Sequence, residues 1–146
     1  MAGISAVYQA ILSRWASEEL DELIPGGLWY SMAEPGVDWP YAVFVSAGNP
    51  DGNLTTDTEF RDHLIQLSIY VKSNGATDPV LAAGSLLDSV VSSLFQAPLS
   101  ISGSGKVLNV RRTREDIRRD ETERDVWVAE SDFKIRRSQS YDPSPG

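Results

Sequence analysis

The chain has 146 residues, no cysteine, and 21 acidic against 13 basic residues, which gives a net charge of −8. A chain of this size buries enough apolar surface to fold as one domain, and the absence of cysteine excludes disulfides and thiolate metal sites. The acidic balance disfavours nucleic-acid binding. Because no apolar run approaches the ~20 residues of a membrane span and the N-terminus lacks signal-peptide features, we expect a soluble protein.

The first predicted element is an amphipathic helix. Its apolar side chains recur at helical spacing and form one stripe, which comprises Ile4, Val7, Tyr8, Ile11, Leu12 and Trp15. Such a stripe is typical of a helix that packs on a core, and the sequence Pro25-Gly26-Gly27 ends it. Two predicted strands follow at residues 28–32 and 40–48, separated by a loop that contains proline and glycine.

The connector at residues 48–58 is long for a loop between neighbouring strands, which compact domains usually join with about 2–5 residues. It is rich in turn-forming residues and is either a mobile tip or a contact surface. As a contact surface it would reach a partner through Asn49, Asp51, Asn53 and Leu54.

Residues 59–72 form the predicted central strand. Apolar residues occupy every second position from Ile65 to Val71, a period typical of a strand with one face on a core. The sole histidine, His63, lies beside Asp62 in this strand. At such a position a structural or surface role is far more common than that of a catalytic base.

A second helix begins at Asp78 and Pro79, an N-cap followed by proline at the first helical position. Its predicted core stripe comprises Val80, Ala83, Leu87, Val90, Val91 and Leu94. A second stripe consists of small residues, among them Ser85, Ser89 and Ser92. Because solvated helix faces usually carry several charges and this helix has only Asp88, the small-residue stripe is either covered by another subunit or simply meets water.

Two strands at residues 107–115 and 125–138 complete the predicted fold, with a charged connector between them. Residues 111–125 mix six arginines with six acids, whereas the first 105 residues contain only three cations. The arginines are Arg111, Arg112, Arg114, Arg118, Arg119 and Arg124. Three interpretations remain open: a solvated hairpin with weak internal ion pairs, an interface arm whose guanidinium groups bind carboxylates of a neighbouring subunit, and a DNA contact, against which the interleaved acids argue.

The predicted order α-β-β-β-α-β-β indicates an α+β fold with a mixed, mostly antiparallel sheet of four to five strands and two helices packed on one face. We expect one domain at residues 1–137 and a polar, flexible tail at 138–146. The sequence contains no recognisable nucleophile, zinc-binding, phosphate-loop or dinucleotide-binding motif, so we expect neither catalysis nor a cofactor or metal.

In layout, the chain resembles the phage tail-terminator (tail-completion) proteins. The shared features are an N-terminal apolar helix, a strand led by Pro40-Tyr41, the strand HLIQLSIYVKS (63–73), the helix VLAAGSLLDSVVSSL (80–94), and two late strands that end in an aromatic-apolar run. The resemblance covers nearly the whole chain, although it assigns no role to the 48–58 loop or the 138–146 tail.

The resemblance implies a structural virion protein without enzymatic activity. Members of the family form a ring, typically a hexamer, on the end of a growing tail tube, where they stop polymerisation and present the surface that joins tail to head. The implied partners are further copies of this chain, the major tail tube protein and a neck protein, with DNA sliding through the lumen unbound. The implied location is the tail–neck junction of the virion, and the host cytoplasm during assembly. The alternatives are a head-completion (stopper or adaptor) protein of the neck and a small nucleic-acid-binding module.

Overall fold

The computed structural model describes residues 4–48, 52–54, 58–73, 78–96, 99, 105–123 and 125–140. The helices and strands within these ranges are, in chain order, α1 (Ile4–Ser17), a 3-10 helix (Leu20–Glu22), β1 (Leu28–Tyr30), β2 (Tyr41–Gly48), β3 (Gly52–Leu54), β4 (Thr58–Lys72), α2 (Pro79–Phe95), β5 (Gly105–Arg119) and β6 (Val126–Ser140). The main elements confirm the predicted α+β order. The short strand β3 is an addition, and it lies inside the predicted 48–58 connector.

The strands form one mixed sheet in the spatial order β1-β2-β4-β6-β5, with β3 paired to the first residues of β4. In the described chain the β1–β2 pair is parallel and the other pairs are antiparallel. β4 pairs with β6 over its whole length, from Thr58 opposite Ser140 to Lys72 opposite Val126. β4 is therefore the central strand, as predicted, and β1 and β5 form the two edges of this path.

The hydrophobic core lies between one face of the sheet and the two α-helices, which confirms the predicted packing of both helices on one side. The buried residues of α1 and α2 recur every three or four positions, whereas those of β4 alternate. Aromatic contacts join the layers: Tyr8 of α1 stacks on Phe44 of β2 with ring centroids 5.1 Å apart, and Phe95 of α2 lies 4.9 Å from Phe133 of β6.

The start of α2 is capped as the sequence predicts. The Asp78 carboxylate accepts hydrogen bonds from the backbone N–H groups of Val80 at 2.9 Å and Leu81 at 3.4 Å, and Pro79 opens the helix. The predicted core stripe is wrong at Val80, which is 38% exposed, because the first buried residue of α2 is Ala83. Leu12 of α1 is likewise exposed, since the buried stripe of that helix is narrower than predicted.

The two late strands are longer than predicted. β5 continues to Arg119, and the predicted connector 116–124 shrinks to a turn in which Asp120 Oδ2 accepts the N–H of Glu123 at 3.0 Å. β6 continues to Ser140, so the first three residues of the predicted tail pair with β4. Charged residues are poor strand formers in isolation, but here cross-strand ion pairs extend the ladder.

Candidate functional site: the helix-free face of the sheet

The two faces of the sheet differ sharply in chemistry. α1 and α2 cover one face, onto which alternate apolar residues of β4 and β6 project. The intervening residues project from the opposite face, which carries neither helix and which we call the open face. Its described charged residues come from three adjacent strands and are Asp62, Lys72, Arg111, Arg114, Asp116, Arg118, Glu130, Asp132, Lys134 and Arg136.

One group of these charges, the Glu130 cluster, consists of Arg114, Arg118, Glu130 and Asp132. The Glu130 side chain is only 8% exposed and lies between two guanidinium groups, with Arg118 Nη1 at 3.0 Å from Oε2 and Arg114 Nη2 paired with Oε1. Arg114 also donates from Nε to Asp132 Oδ2 at 2.9 Å. A carboxylate this far removed from water requires such partners, because an unpaired buried charge is costly.

The same contacts stabilise the charged forms of Arg114 and Arg118. The hydrogen bonds to Asp132 and then Glu130 raise the pKa of Arg114, and the hydrogen bond to Glu130 raises the pKa of Arg118. The donors of both guanidinium groups are therefore directed inward, onto carboxylates of this chain.

A second group of charges surrounds Asp62, whose side chain is 5% exposed. Arg136 donates two hydrogen bonds to it, from Nε to Oδ1 at 2.8 Å and from Nη2 to Oδ2 at 3.2 Å, and Lys134 Nζ lies 3.4 Å from Oδ2. The hydrogen bond from Arg136 lowers the pKa of Asp62 by more than its burial raises it. Asp62 is therefore ionised at neutral pH.

These residues line a depression of about 200 Å³ together with Asn109 and Arg111. We call it the cationic depression (Asp62, Asn109, Arg111, Lys134 and Arg136). Arg111 is exposed, and its side chain makes no salt bridge, hydrogen bond or ring contact with the described part of the chain. The depression thus contains three cations and one carboxylate, and it carries a positive excess on a chain that is acidic overall.

A register shift in β5 separates Arg112 from this surface. Between Arg112 and Arg114 the pairing with β6 moves by one residue, as in a β-bulge, so the two arginines lie on opposite faces of the sheet. Arg112 Nε donates to Ser131 Oγ at 2.6 Å, and Nη1 lies 3.5 Å from Asp88 of α2. Its Nη2 is 3.3 Å from Glu115, at ion-pair distance but without hydrogen-bond geometry.

Arg119 does not join either open-face cluster. Its guanidinium lies over the Trp127 ring, 5.2 Å from the centroid, a cation–π contact. Arg124 lies outside the described residues. The described arginines of the predicted arm therefore do not form one uniform surface: they are divided between the Glu130 cluster, the helix side of the sheet, an aromatic ring and the cationic depression.

The predicted serine surface is exposed in this single chain. Ser85, Ser89 and Ser92 all lie on the outer side of α2, and Leu81 at the start of the same helix is 68% exposed. The predicted cover of this face by another subunit stays a prediction.

The predicted contact loop is only partly described. The backbone of Asn53 and Leu54 belongs to β3 and pairs with Phe60 and Glu59 of β4, which makes this segment an extension of the sheet. Asn49 and Asp51 lie outside the described residues.

The alternation in β6 predicts that Glu130, Asp132 and Lys134 face outward, and the structure places them on the open face. The sequence did not indicate that these side chains pair with the arginines of β5 and with Asp62. The role of His63 was anticipated better. It is fully buried on the helix side, and its Nε2 accepts a hydrogen bond from Nε of the equally buried Arg137 at 2.8 Å, which makes it a structural residue.

The other end of the open face is aromatic. Trp39, Tyr41 and Tyr70 follow one another with ring centroids 5.0 and 4.8 Å apart, and they line a groove of about 520 Å³ beneath the loop that precedes β2. Burial raises the pKa of Tyr41 and of Tyr70. The groove ends at Met32, one of the most exposed apolar side chains of the described chain.

In the described residues, no three histidine or acidic side chains gather as a metal site would require. No helix there is long and apolar enough to cross a membrane. What the structure defines is a small α+β domain with a helix-covered face and a charged open face.

Comparison with known proteins places this domain in a family. Residues 6–138 match the family Tail completion protein gp17, so the chain belongs to it, which confirms the tail-completion resemblance. A chain of the solved structure "Virion of native gene transfer agent (GTA) particle" has a similar fold, with a TM-score of 0.67 and 18% sequence identity over 94% of this chain and 98% of that chain. No match was found among curated proteins.

Proposed function

We propose that this protein is a structural component of a phage virion that assembles into a closed ring, hexameric as the resemblance implies. The ring would occupy the head-proximal end of the tail tube, stop its polymerisation and provide the surface that joins tail to head. The observation that carries the proposal is the family match, because it extends over residues 6–138 and so covers almost the whole chain.

Two further observations support an assembling protein. The similar chain from the gene transfer agent virion aligns over nearly its full length, so a fold of this kind does occur as a subunit of a virion. In addition, β5 is a 15-residue edge strand whose outer side has no strand partner in the described chain. Long exposed edges are normally shielded or paired, and a neighbouring subunit would provide the shielding.

The buried charges of the open face also suit a structural role. Glu130 and Asp62 are the carboxylates most removed from water there, and each is held by cations of this chain. Carboxylates committed to ion pairs stabilise the strand pairing and are not free for acid–base work. Under this proposal the serine face of α2 and parts of the 111–125 segment contact neighbouring subunits, and the 48–58 segment reaches towards the tube or the neck.

The proposal is tested by assembly and by tail length. Light scattering and negative-stain microscopy of the purified full chain should show closed rings, alone or on the end of assembled tube protein. Deletion of the gene from its phage should yield overlong tubes. Normal tails that fail to join heads would instead favour a neck protein, and a strictly monomeric chain that never caps tube protein would contradict the proposal.

A further inference from the structure

Resting on the proposed ring, we infer that its subunits dock head to tail through opposite charges, with the cationic depression of one copy receiving the acidic segment Glu18–Glu22 of the next. The segment contains Glu18, Glu19, Asp21 and Glu22, all exposed. Its negative charge complements the positive excess of the cationic depression on the open face.

The depression is built to accept a carboxylate. A guanidinium carries five N–H donors, and Asp62 takes two of those of Arg136. Arg111 commits none of its side-chain donors within the described chain. The two arginines and Lys134 line one concave site, so an incoming carboxylate would meet donors from two strands.

The carboxylates of the acidic segment, in turn, have neutral hydrogen-bond partners and no salt bridges among the described residues. Trp15 Nε1 donates to Asp21 at 2.7 Å and Gln96 Nε2 donates to Glu18 at 2.7 Å, and both donors are neutral. Glu19 and Glu22 form no salt bridge within the described residues. Among the described residues, these four carboxylates within five positions therefore have no salt-bridge partner.

The two surfaces cannot neutralise each other within one chain. The depression lies on the open face of β4, β5 and β6, whereas the acidic segment follows α1 on the helix side, where Gln96 at the end of α2 donates to Glu18. Hydrogen bonds from Gly26 N to Pro40 O and from Ala42 N to Gly27 O, both 2.9 Å, attach the segment's continuation to the start of β2. The sheet itself therefore lies between the two surfaces.

The placement of the opposite charges favours one kind of contact. In a two-fold contact each subunit would have to present both surfaces on the single patch that meets its partner, whereas a head-to-tail contact uses one surface on each side and pairs unlike charges at every junction. A repeated head-to-tail contact closes into a ring when the rotation between copies permits it. Because the depression is on the open face and the acidic segment is on the helix side, part of the open face of each copy would lie against the helix side of the next.

The test uses charge reversal and its rescue in the full chain. Arg111→Glu is expected to weaken ring formation by about tenfold or more, as measured by light scattering across a concentration series, with the monomer still folded by circular dichroism. Combining Arg111→Glu with Glu19→Arg and Glu22→Arg is expected to restore the ring. Arg119→Glu, on the same strand but outside the depression, is the matched control and should still form rings.

Salt and DNA distinguish the remaining outcomes. The wild-type ring should weaken between about 50 mM and about 500 mM salt, because partly exposed ion pairs are screened. If Arg111→Glu forms rings as well as wild type, the docking inference is overturned while the ring proposal stands. If it forms rings but loses salt-dependent binding of double-stranded DNA, the depression holds phosphate and the inference is also overturned. A wild-type chain that forms no ring, alone or with tube protein, contradicts the proposed function itself.

Discussion

The Glu130 cluster and the cationic depression share one face of the sheet, but they differ in how completely their charges are paired. In the cluster two guanidinium groups meet Glu130 and Asp132, with Asp116 3.8 Å from Arg114, and in the depression three cations meet one carboxylate. Arginines in the first environment stabilise the sheet, whereas Arg111 in the second makes no ion pair within the described residues. The number of arginines in a segment therefore says less about an interface than the partners that each arginine already has.

The largest effect is expected from Glu130→Gln. The amide cannot neutralise the two guanidinium groups that converge on it, so the free energy of unfolding should fall by about 2 kcal/mol. This loss is smaller than for a fully buried pair, because Arg114 and Arg118 are 44% and 43% exposed. Urea unfolding followed by circular dichroism measures it. Glu121→Gln in the exposed turn should change the value by less than about 0.5 kcal/mol. Equal losses in the two variants would contradict a structural role for the cluster.

A smaller and pH-dependent effect is expected from Asp62→Asn. Because the folded state lowers the pKa of Asp62 below its ordinary value of 3.8, the ionised group stabilises the fold above that pH. Wild type should exceed the variant by about 1 kcal/mol at pH 7, since its partners are half exposed and screened. The gap should close as the pH falls below 3.8 towards the lowered folded value. Unfolding curves between pH 7 and pH 3 measure this gap, and a constant difference would refute the prediction.

A direct comparison of two arginines on one strand sharpens the contrast further. Arg111→Glu should change the free energy of unfolding of the monomer by less than about 0.5 kcal/mol, because the side chain makes no salt bridge or hydrogen bond with the described chain. Arg114→Glu should lower the melting temperature clearly, because it places a further carboxylate beside Glu130, Asp132 and Asp116. Thermal unfolding at concentrations below assembly measures both. Identical melting temperatures would show that the two environments do not differ in the way described.

The smallest effect on stability is expected from Ser89→Arg on α2. The side chain is exposed, so the monomer should remain as stable as wild type within about 0.5 kcal/mol. If another subunit covers this face, the arginine should weaken assembly, whereas Ser89→Ala should not. If rings form equally well with both substitutions, the serine surface is exposed to solvent in the assembled ring.

The periodic parts of the fold could be predicted because their causes are local. The alternation in β4 and the capping of α2 by Asp78 depend on residues a few positions apart. The extension of β5 to Arg119 could not be predicted in this way, because it depends on Glu130 lying opposite Asp116 and within reach of Arg118 on a different strand. From sequence alone a charged segment is predicted to be a connector, because its strand pairing depends on the register of a partner strand that is far away in the chain.

For the same reason, only part of the candidate site could be predicted from the sequence. The arginines of residues 111–125 stood out by composition, but their division into paired and unpaired groups depends on β6 and on the register shift in β5. Asp62 and Arg136 are 74 positions apart in the chain and meet only across the β4–β6 ladder. Neither proximity in sequence nor residue type signals such a pair.

The register shift in β5 also bears on how this strand tolerates changes in length. Thr113 is the residue that the shift leaves without a partner on β6, with Arg112 opposite Phe133 and Arg114 opposite Asp132. Removing Thr113 would leave the pairing without a shift from Asn109 to Arg119, and both arginines would keep their opposite residues and their sides of the sheet. One-residue gaps among homologues are therefore expected at this point of the strand, where the ladder can lose a residue without exchanging a single ion pair.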